Sequence, residues 1–281
     1  MPYTAEISRH HPGCLFFLID QSTSMNLPFG GDGEASRAQQ LTEAINRLLQ
    51  ELVVRCTKSQ EEGVRPYFDV GVFGYGSESF GPVLGGTLTG RALVSVREVA
   101  EHPLRLATTV KTVPDGVGGV IEARIRTPLW FELDAVGQTP MCEALRNART
   151  ILEPWVREHP ASFPPLVFNI TDGEATDGDP RGPAAALRQL GTDDGHALLF
   201  NVHLSSSRKV PELYPSAPHD LPDDFARQLF EMSSVLPAVM QERFRDEGYA
   251  VRMQSRAFVF NADIGEVIRC LDIGTRFKFR R

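Results

Sequence analysis

The chain has 281 residues, 42% of them hydrophobic and 23% charged, enough apolar material to bury one large core or two small ones in an ordinary globular protein. Its formal net charge of −7 argues against non-specific nucleic-acid binding, which needs a basic face. No apolar run is long enough to span a bilayer, and residues 1–13 hold no apolar stretch that would read as a secretory signal, so no membrane partner and a cytoplasmic location are expected. The four cysteines, Cys14, Cys56, Cys142 and Cys270, are scattered in apolar contexts without a C-x-x-C pair. They read as buried reduced thiols rather than as a zinc cluster or a disulfide framework.

Residues 14–19 form a continuous apolar run that ends in Asp20, the pattern of a strand buried on both faces. A loop rich in Gly, Ser and Asn follows over 21–35. Leu41, Ile45, Leu48, Leu49, Leu52, Val53 and Cys56 then recur at helical spacing. Residues 68–75 read as a second strand. The Gly-rich stretch 76–136 reads as an enlarged edge region with hairpins, β-like pieces at 123–126 and 129–133, and a short helix near 94–101. Thr139-Pro140 suits a helix start, with Thr139 as N-cap and Pro140 as the first helical residue. Met141, Leu145, Ala148, Ile151, Leu152 and Trp155 give that helix its stripe.

Further strands are expected at 166–170, 198–204 and 257–260, and a short helix from Pro180 to about Leu190. A closing helix is expected after Asp263, with Glu266 completing a capping box. Residues 207–256 interrupt the alternation with prolines and then helical material from about Pro222 to Glu247. The basic and aromatic tail 276–281 reads as a solvated end rather than a docking peptide. Strands alternating with helices imply a doubly wound, mostly parallel α/β sheet with helices on both faces. We expect one domain, with a core over 14–206 and 257–273, the enlarged edge at 76–136 and an insertion at 207–256. Ligands of such sheets gather at the carboxyl ends of strands, where Asp20 and Asp172 both stand.

Three short motifs carry candidate chemistry. Asp20-Gln21-Ser22-Thr23-Ser24 places a carboxylate and two hydroxyls at alternate loop positions. Gly137-Gln138-Thr139-Pro140 places a hydroxyl at a helix start, and Thr171-Asp172-Gly173-Glu174 a carboxylate at a strand end. Carboxylate and hydroxyl oxygens are hard donors, suited to Mg²⁺, Mn²⁺ or Ca²⁺ rather than Zn²⁺ or Cu²⁺. Taken singly, each motif also reads as a polar turn or a helix cap. Asp177 or Asp179 is expected to cap the helix that starts at Pro180, with a second, calcium-type site there as the alternative.

In their order and separation the three motifs resemble the metal-ion-dependent adhesion site of von Willebrand factor A domains, and the resemblance covers most of residues 14–205. It implies that Ser22 and Ser24 ligate one divalent cation directly, Mg²⁺ first and Mn²⁺ or Ca²⁺ as alternatives. Thr139 would ligate directly or through water, and Asp20 and Asp172 through metal-bound water. One position would stay open for an Asp or Glu carboxylate of a partner protein. The family often has Gly where Thr23 stands, and the 26–35 loop is longer than usual. The Asp-Gln-Ser-Thr-Ser form and the 207–256 segment look more like intracellular bacterial members, which accompany kinases, phosphatases or stress-response systems, than like secreted adhesins.

The competing reading is a metal-dependent hydrolase acting on phosphoesters. The haloacid-dehalogenase pattern would need Asp where Ser22 stands, and neither a G-x-S-x-G elbow nor a P-loop occurs. His203 and Glu174 are the nearest candidates for a general base. No catalytic residue is expected, and a binding module is the preferred reading.

Overall fold

The computed structural model describes residues 2–28, 35–59, 61–76, 80–114, 119–204, 210–219, 221–261 and 269. Apart from residue 269, which is helical, the predicted closing helix lies outside them, as do the 276–281 tail, Cys270 and residues 29–34 of the long loop.

The first half runs β1 (Gly13–Asp20), a 3-10 turn (Thr23–Asn26), α1 (Arg37–Cys56), β2 (Phe68–Tyr75), β3 (Phe80–Pro82), β4 (Val94–Ser95) and α2 (Val96–Glu101). Among the described residues the long strands β5 (Arg105–Pro114) and β6 (Val120–Leu129) pair only with each other, antiparallel. The second half runs α3 (Met141–Glu158), β7 (Leu166–Thr171), α4 (Arg181–Arg188), the small hairpin β8 (Gly191–Thr192) and β9 (Gly195–His196), and β10 (Leu198–His203). It closes with β11 (Glu212–Leu213), α5 (Asp224–Met232), α6 (Ala238–Asp246) and β12 (Phe258–Phe260).

The main sheet has the order β11-β12-β10-β7-β1-β2-β3, with β4 also on β2. Its centre is parallel: β1 pairs with β2 and β7, β7 with β10, and β10 with β12. Only the short edge strands β3, β4 and β11 run antiparallel. The predicted doubly wound architecture is therefore present. From β1 the chain goes first to one neighbour, β2, and later to the other, β7. The switch point lies between β1 and β7, so a crevice opens past their carboxyl ends.

Every residue of β1 is buried, and the two-residue period splits them between two cores. Leu15, Phe17 and Ile19 pack with α1, α2 and α6 on one face. Cys14, Phe16 and Leu18 pack with α3, α4 and α5 on the other. Phe17, Phe168 and Phe200, on adjacent strands, stand ring to ring with centroids 5.2 and 5.0 Å apart. Burying each such ring contributes about 1.5–3 kcal/mol. This aromatic packing ties together the three strands β1, β7 and β10 that lead to the switch point.

Several local expectations change. Residues 129–133 do not continue a strand beyond Leu129. Trp130 and Phe131 are buried because the Asn46 side chain of α1 holds their backbone, accepting from Trp130 N at 2.7 Å and donating to the Phe131 carbonyl at 3.1 Å. Pro140 stands at the N-cap position of α3 rather than inside the helix, and no side chain of its own caps it. Asp177, thirty-five residues on, does the capping: its carboxylate accepts from Cys142 N at 3.0 Å and Glu143 N at 2.8 Å. At α4 only Asp179 acts, accepting from Arg181 N and pairing with the Arg181 guanidinium at 2.9 Å. Within 207–256, α5 packs against β10 and belongs to the same core as α3 and α4. Cys14, Cys56 and Cys142 are free and buried, as expected. Among the described residues no helix is long and apolar enough to cross a membrane.

Candidate metal centre

Three loops meet above the switch point. The first follows β1. Asp20 is fully buried, and its Oδ1 accepts from Ser22 N at 2.8 Å. This closes a tight turn that sets Ser22 and Ser24 on the same side as the carboxylate. Ser22 is the residue before the 3-10 turn, and its hydroxyl caps no backbone N–H there. It lies 2.9 Å from the Ser24 hydroxyl.

The second loop follows β7. Ser24 donates to Asp172 Oδ1 at 2.6 Å, and Thr171 donates to Asp20 Oδ2 at 2.6 Å. Each strand end therefore holds the other's carboxylate through a hydroxyl. The Asp172 side chain is 0% exposed, although its backbone reaches the surface.

The third loop leads into α3. The Thr139 hydroxyl is not used as a cap. A Cβ added to Gly173 would sit 3.3 Å from Thr139 Oγ1, 3.8 Å from Ser24 Oγ and 4.0 Å from Asp20 Oδ2. Gly173, in the second loop, thus faces oxygens of the first and third loops across a space that a methyl group would crowd. Of the predicted positions, Asp20, Ser22, Ser24 and Asp172 are joined through hydrogen bonds, with Thr171 between the strand ends, and Thr139 Oγ1 faces the same space beside Gly173 without a bond to them.

Backbone ties hold the loops in register. Thr23 N donates to the Gly137 carbonyl at 3.0 Å, and Gly137 N donates to Thr23 Oγ1 at 2.9 Å. Gly137 has φ +96°, which favours glycine. Val136 N donates to the Gln21 carbonyl at 2.7 Å, and Thr176 N to the Thr139 carbonyl at 2.9 Å. The Thr at position 23 therefore has a function that Gly lacks, because its hydroxyl locks the first loop to the third.

The two carboxylates differ in electrostatic setting. Burial pushes the pKa of Asp20 up to about 6; the hydrogen bonds from Thr171 and Ser22 pull it down less, and the charge of Asp172 adds to the rise. Asp172 is instead paired with a cation: Arg37 Nη1 donates to its Oδ2, and the Arg37 side chain is 3% exposed. Arg37 is the first residue of α1, placed there by the Ser36–Gln39 capping box. Its Nε has no hydrogen-bond partner among the described residues.

A buried polar chain runs beneath the cluster. Tyr75 donates to Asn169 at 2.8 Å, Asn169 to Asn201 at 2.9 Å, and Asn201 to Ser233 at 3.0 Å. Burial raises the Tyr75 phenol pKa well above its ordinary value, so it stays neutral. His203, the other end-of-strand group, packs on Phe225 and Phe260, and burial pushes its pKa down to about 4. Its Nδ1 has no partner among the described residues, and no hydrogen bond joins His203 or the exposed Glu174 to the cluster. A groove of about 410 Å³ opens beside Glu174, lined by Arg181, Asp224, Phe225, Arg227 and Glu231.

The donor set suits a hard cation: two carboxylates, three hydroxyls and a space between them. No group of three or more His, Cys, Asp or Glu side chains that could hold a metal occurs among the described residues. The calcium-type alternative at 174–179 has two of its three carboxylates engaged elsewhere, since Asp177 caps α3 and Asp179 pairs with Arg181. Sequence reasoning missed Arg37, which resembles any polar residue opening an amphipathic helix. It also missed the role of Thr171, although that residue stands beside Asp172 in the quoted motif.

No protein-family model and no curated protein matches the chain. Among solved structures it is similar to the manganese-loaded Plasmodium vivax TRAP protein, at 15% identity over 96% of this chain and 76% of that one, with TM-score 0.41. It is also similar to the D319A mutant of the PilB minor pilin from Streptococcus sanguinis, at 10% identity over 94% of this chain and 62% of the pilin chain, with TM-score 0.43. Likeness at this level leaves ligand and function to the chain's own residues.

Proposed function

We propose that the chain is a metal-dependent protein-interaction module. Asp20, Ser22, Ser24, Thr139 and Asp172 would hold one divalent cation, Mg²⁺ first and Mn²⁺ or Ca²⁺ as alternatives, in a metal-ion-dependent adhesion site of the von Willebrand factor A type. The supporting observation is that Asp20, Ser24 and Thr139 oxygens face one space beside Gly173, with Ser24 bonded to both Ser22 and Asp172. When bound, the ion supplies a Lewis-acidic point that a partner's Asp or Glu carboxylate can complete.

The chain's own residues do the positioning. Asp20 and Asp172 offset positive charge, while Ser22 and Ser24 offer oxygens from a turn fixed by the Asp20–Ser22 bond. Thr23 and Gly137 keep the Thr139 loop in place. The partner would rest on the surface beside Glu174, where the mixed-charge groove opens. The role is binding rather than catalysis, and we assign the chain to the intracellular bacterial type that serves kinase, phosphatase or stress-response systems.

An affinity capture with and without Mg²⁺, repeated with Ser22→Ala, tests the reading. A partner retained only with Mg²⁺ and intact Ser22 is the expected result. Turnover of phosphoesters by the purified chain, abolished by Asp172→Ala, would overturn it in favour of a hydrolase.

A further inference from the structure

We propose that Arg37 is a built-in counter-ion that competes with the divalent cation for Asp172 and thereby sets the ion concentration at which the site fills. This inference rests on the metal-site reading above.

Four observations carry it. The Arg37 guanidinium bonds Asp172 Oδ2, and the two side chains are 3% and 0% exposed, so solvent does little to screen the pair. Arg37 opens α1, where the helix dipole disfavours a positive charge. Its Nε has no hydrogen-bond partner among the described residues, and its contact with the Ser24 carbonyl is a long 3.4 Å. Asp172 is therefore the main group that makes this buried, poorly satisfied cation tolerable. Finally, Asp172 is also tied to Ser24, whose hydroxyl faces the space beside Gly173.

Charge counting gives the consequence. Asp20 and Asp172 together supply two negative charges when ionised, and Arg37 already offsets one. A divalent ion entering the cluster meets a fixed positive charge on a carboxylate it needs. Even with water-like screening, one positive charge a side chain's length away weakens divalent-ion binding by about tenfold. By reciprocity, the bound ion weakens the Arg37–Asp172 pair by the same factor. Arg37 N also donates to the Leu27 carbonyl at 3.0 Å, so loosening the pair acts on the start of α1 and on the end of the 21–28 loop. The site would thus couple ion binding to the segment that frames the partner surface.

The test is Mn²⁺ titration, followed by electron paramagnetic resonance, of the full chain and of Arg37→Met and Arg37→Gln. The expected result is binding tightened at least about tenfold in both variants, with melting temperatures below wild type without ion and a larger rise on Mn²⁺ saturation. Mn²⁺ binding by Arg37→Met alone, with none by wild type, would also support the proposal. Equal or weaker binding by both variants would overturn it and leave the metal site standing. No binding by any of the three proteins would overturn both readings. Should the variants fail to fold, the wild-type Arg37 Nε–H resonance decides: it shifts on Mg²⁺ saturation if the ion weakens the pair, and an unchanged resonance overturns the proposal.

Discussion

At the end of β1, Asp20 is buried with hydrogen bonds but no cation; at the end of β7, Asp172 is buried with Arg37. The two carboxylates stand at the ends of adjacent strands and each accepts a hydroxyl from the other's segment, yet burial raises the pKa of Asp20 to about 6 while Asp172 has a guanidinium to balance its charge. One strand end thus carries an excess of negative charge and the other is compensated from within the chain. A divalent cation relieves the first and competes with the second, which is why the two aspartates are not interchangeable.

Substitution breaks this comparison most strongly at Asp172. Asp172→Ala leaves Arg37 buried and unpaired, and should cost about 3–5 kcal/mol in a denaturant titration. Asp20→Asn removes a charge that burial disfavours and should cost far less without metal. Equal losses would mean that the two strand ends are electrostatically alike.

Gly173→Ala comes next, and its main effect is on the ion. The added methyl stands 3.3 Å from Thr139 Oγ1 and fills the space that three loops border. Calorimetry should show cation affinity falling at least tenfold, against a stability change of about 1 kcal/mol. A large loss of stability with unchanged affinity would place the cation elsewhere. Thr23→Ala removes the acceptor of Gly137 N and should cost about 0.5–1.5 kcal/mol in a thermal melt.

The smallest effect is on pH. Asp20 has a folded pKa raised to about 6, so its contribution to metal-free stability is fully present below the unfolded value near 4 and is lost as pH rises through 6. His203 is depressed to about 4, so its contribution is present above about 6.5 and is lost as pH falls through 4. The windows overlap with opposite signs, and the metal-free wild type should change little from pH 6.5 to 4. Asp20→Asn unmasks the His203 limb and should lose stability across that range by chemical denaturation. A variant profile parallel to wild type would show that Asp20 is not perturbed.

Much of this was legible in the sequence because it is local. The strand ending at Asp20, the Asp-x-Ser-x-Ser spacing and the turn at Asp172 are short patterns whose geometry follows from a buried strand and the loop after it. What was not legible depends on distant pairing. Asp177 caps α3 across thirty-five residues, although sequence proximity pointed to α4. Trp130 and Phe131 look like strand residues, yet the side chain of Asn46 holds them outside any sheet. Arg37 opens a helix like many other polar residues, and only the sheet order brings it to Asp172, 135 residues away. Thr23 looked like a tolerated departure from Gly until its hydroxyl was seen to hold Gly137.

The most direct test of the five-residue site is stoichiometric Mn²⁺ binding, read as loss of the free-ion resonance signal, in wild type and in Ser22→Ala. Ser22 is buried and makes no cap, so its removal should spare the fold while deleting a ligand. One ion bound per wild-type chain, with affinity lost in Ser22→Ala, is the predicted result; the same binding in both proteins, or none in wild type and none in Arg37→Met, would contradict the site.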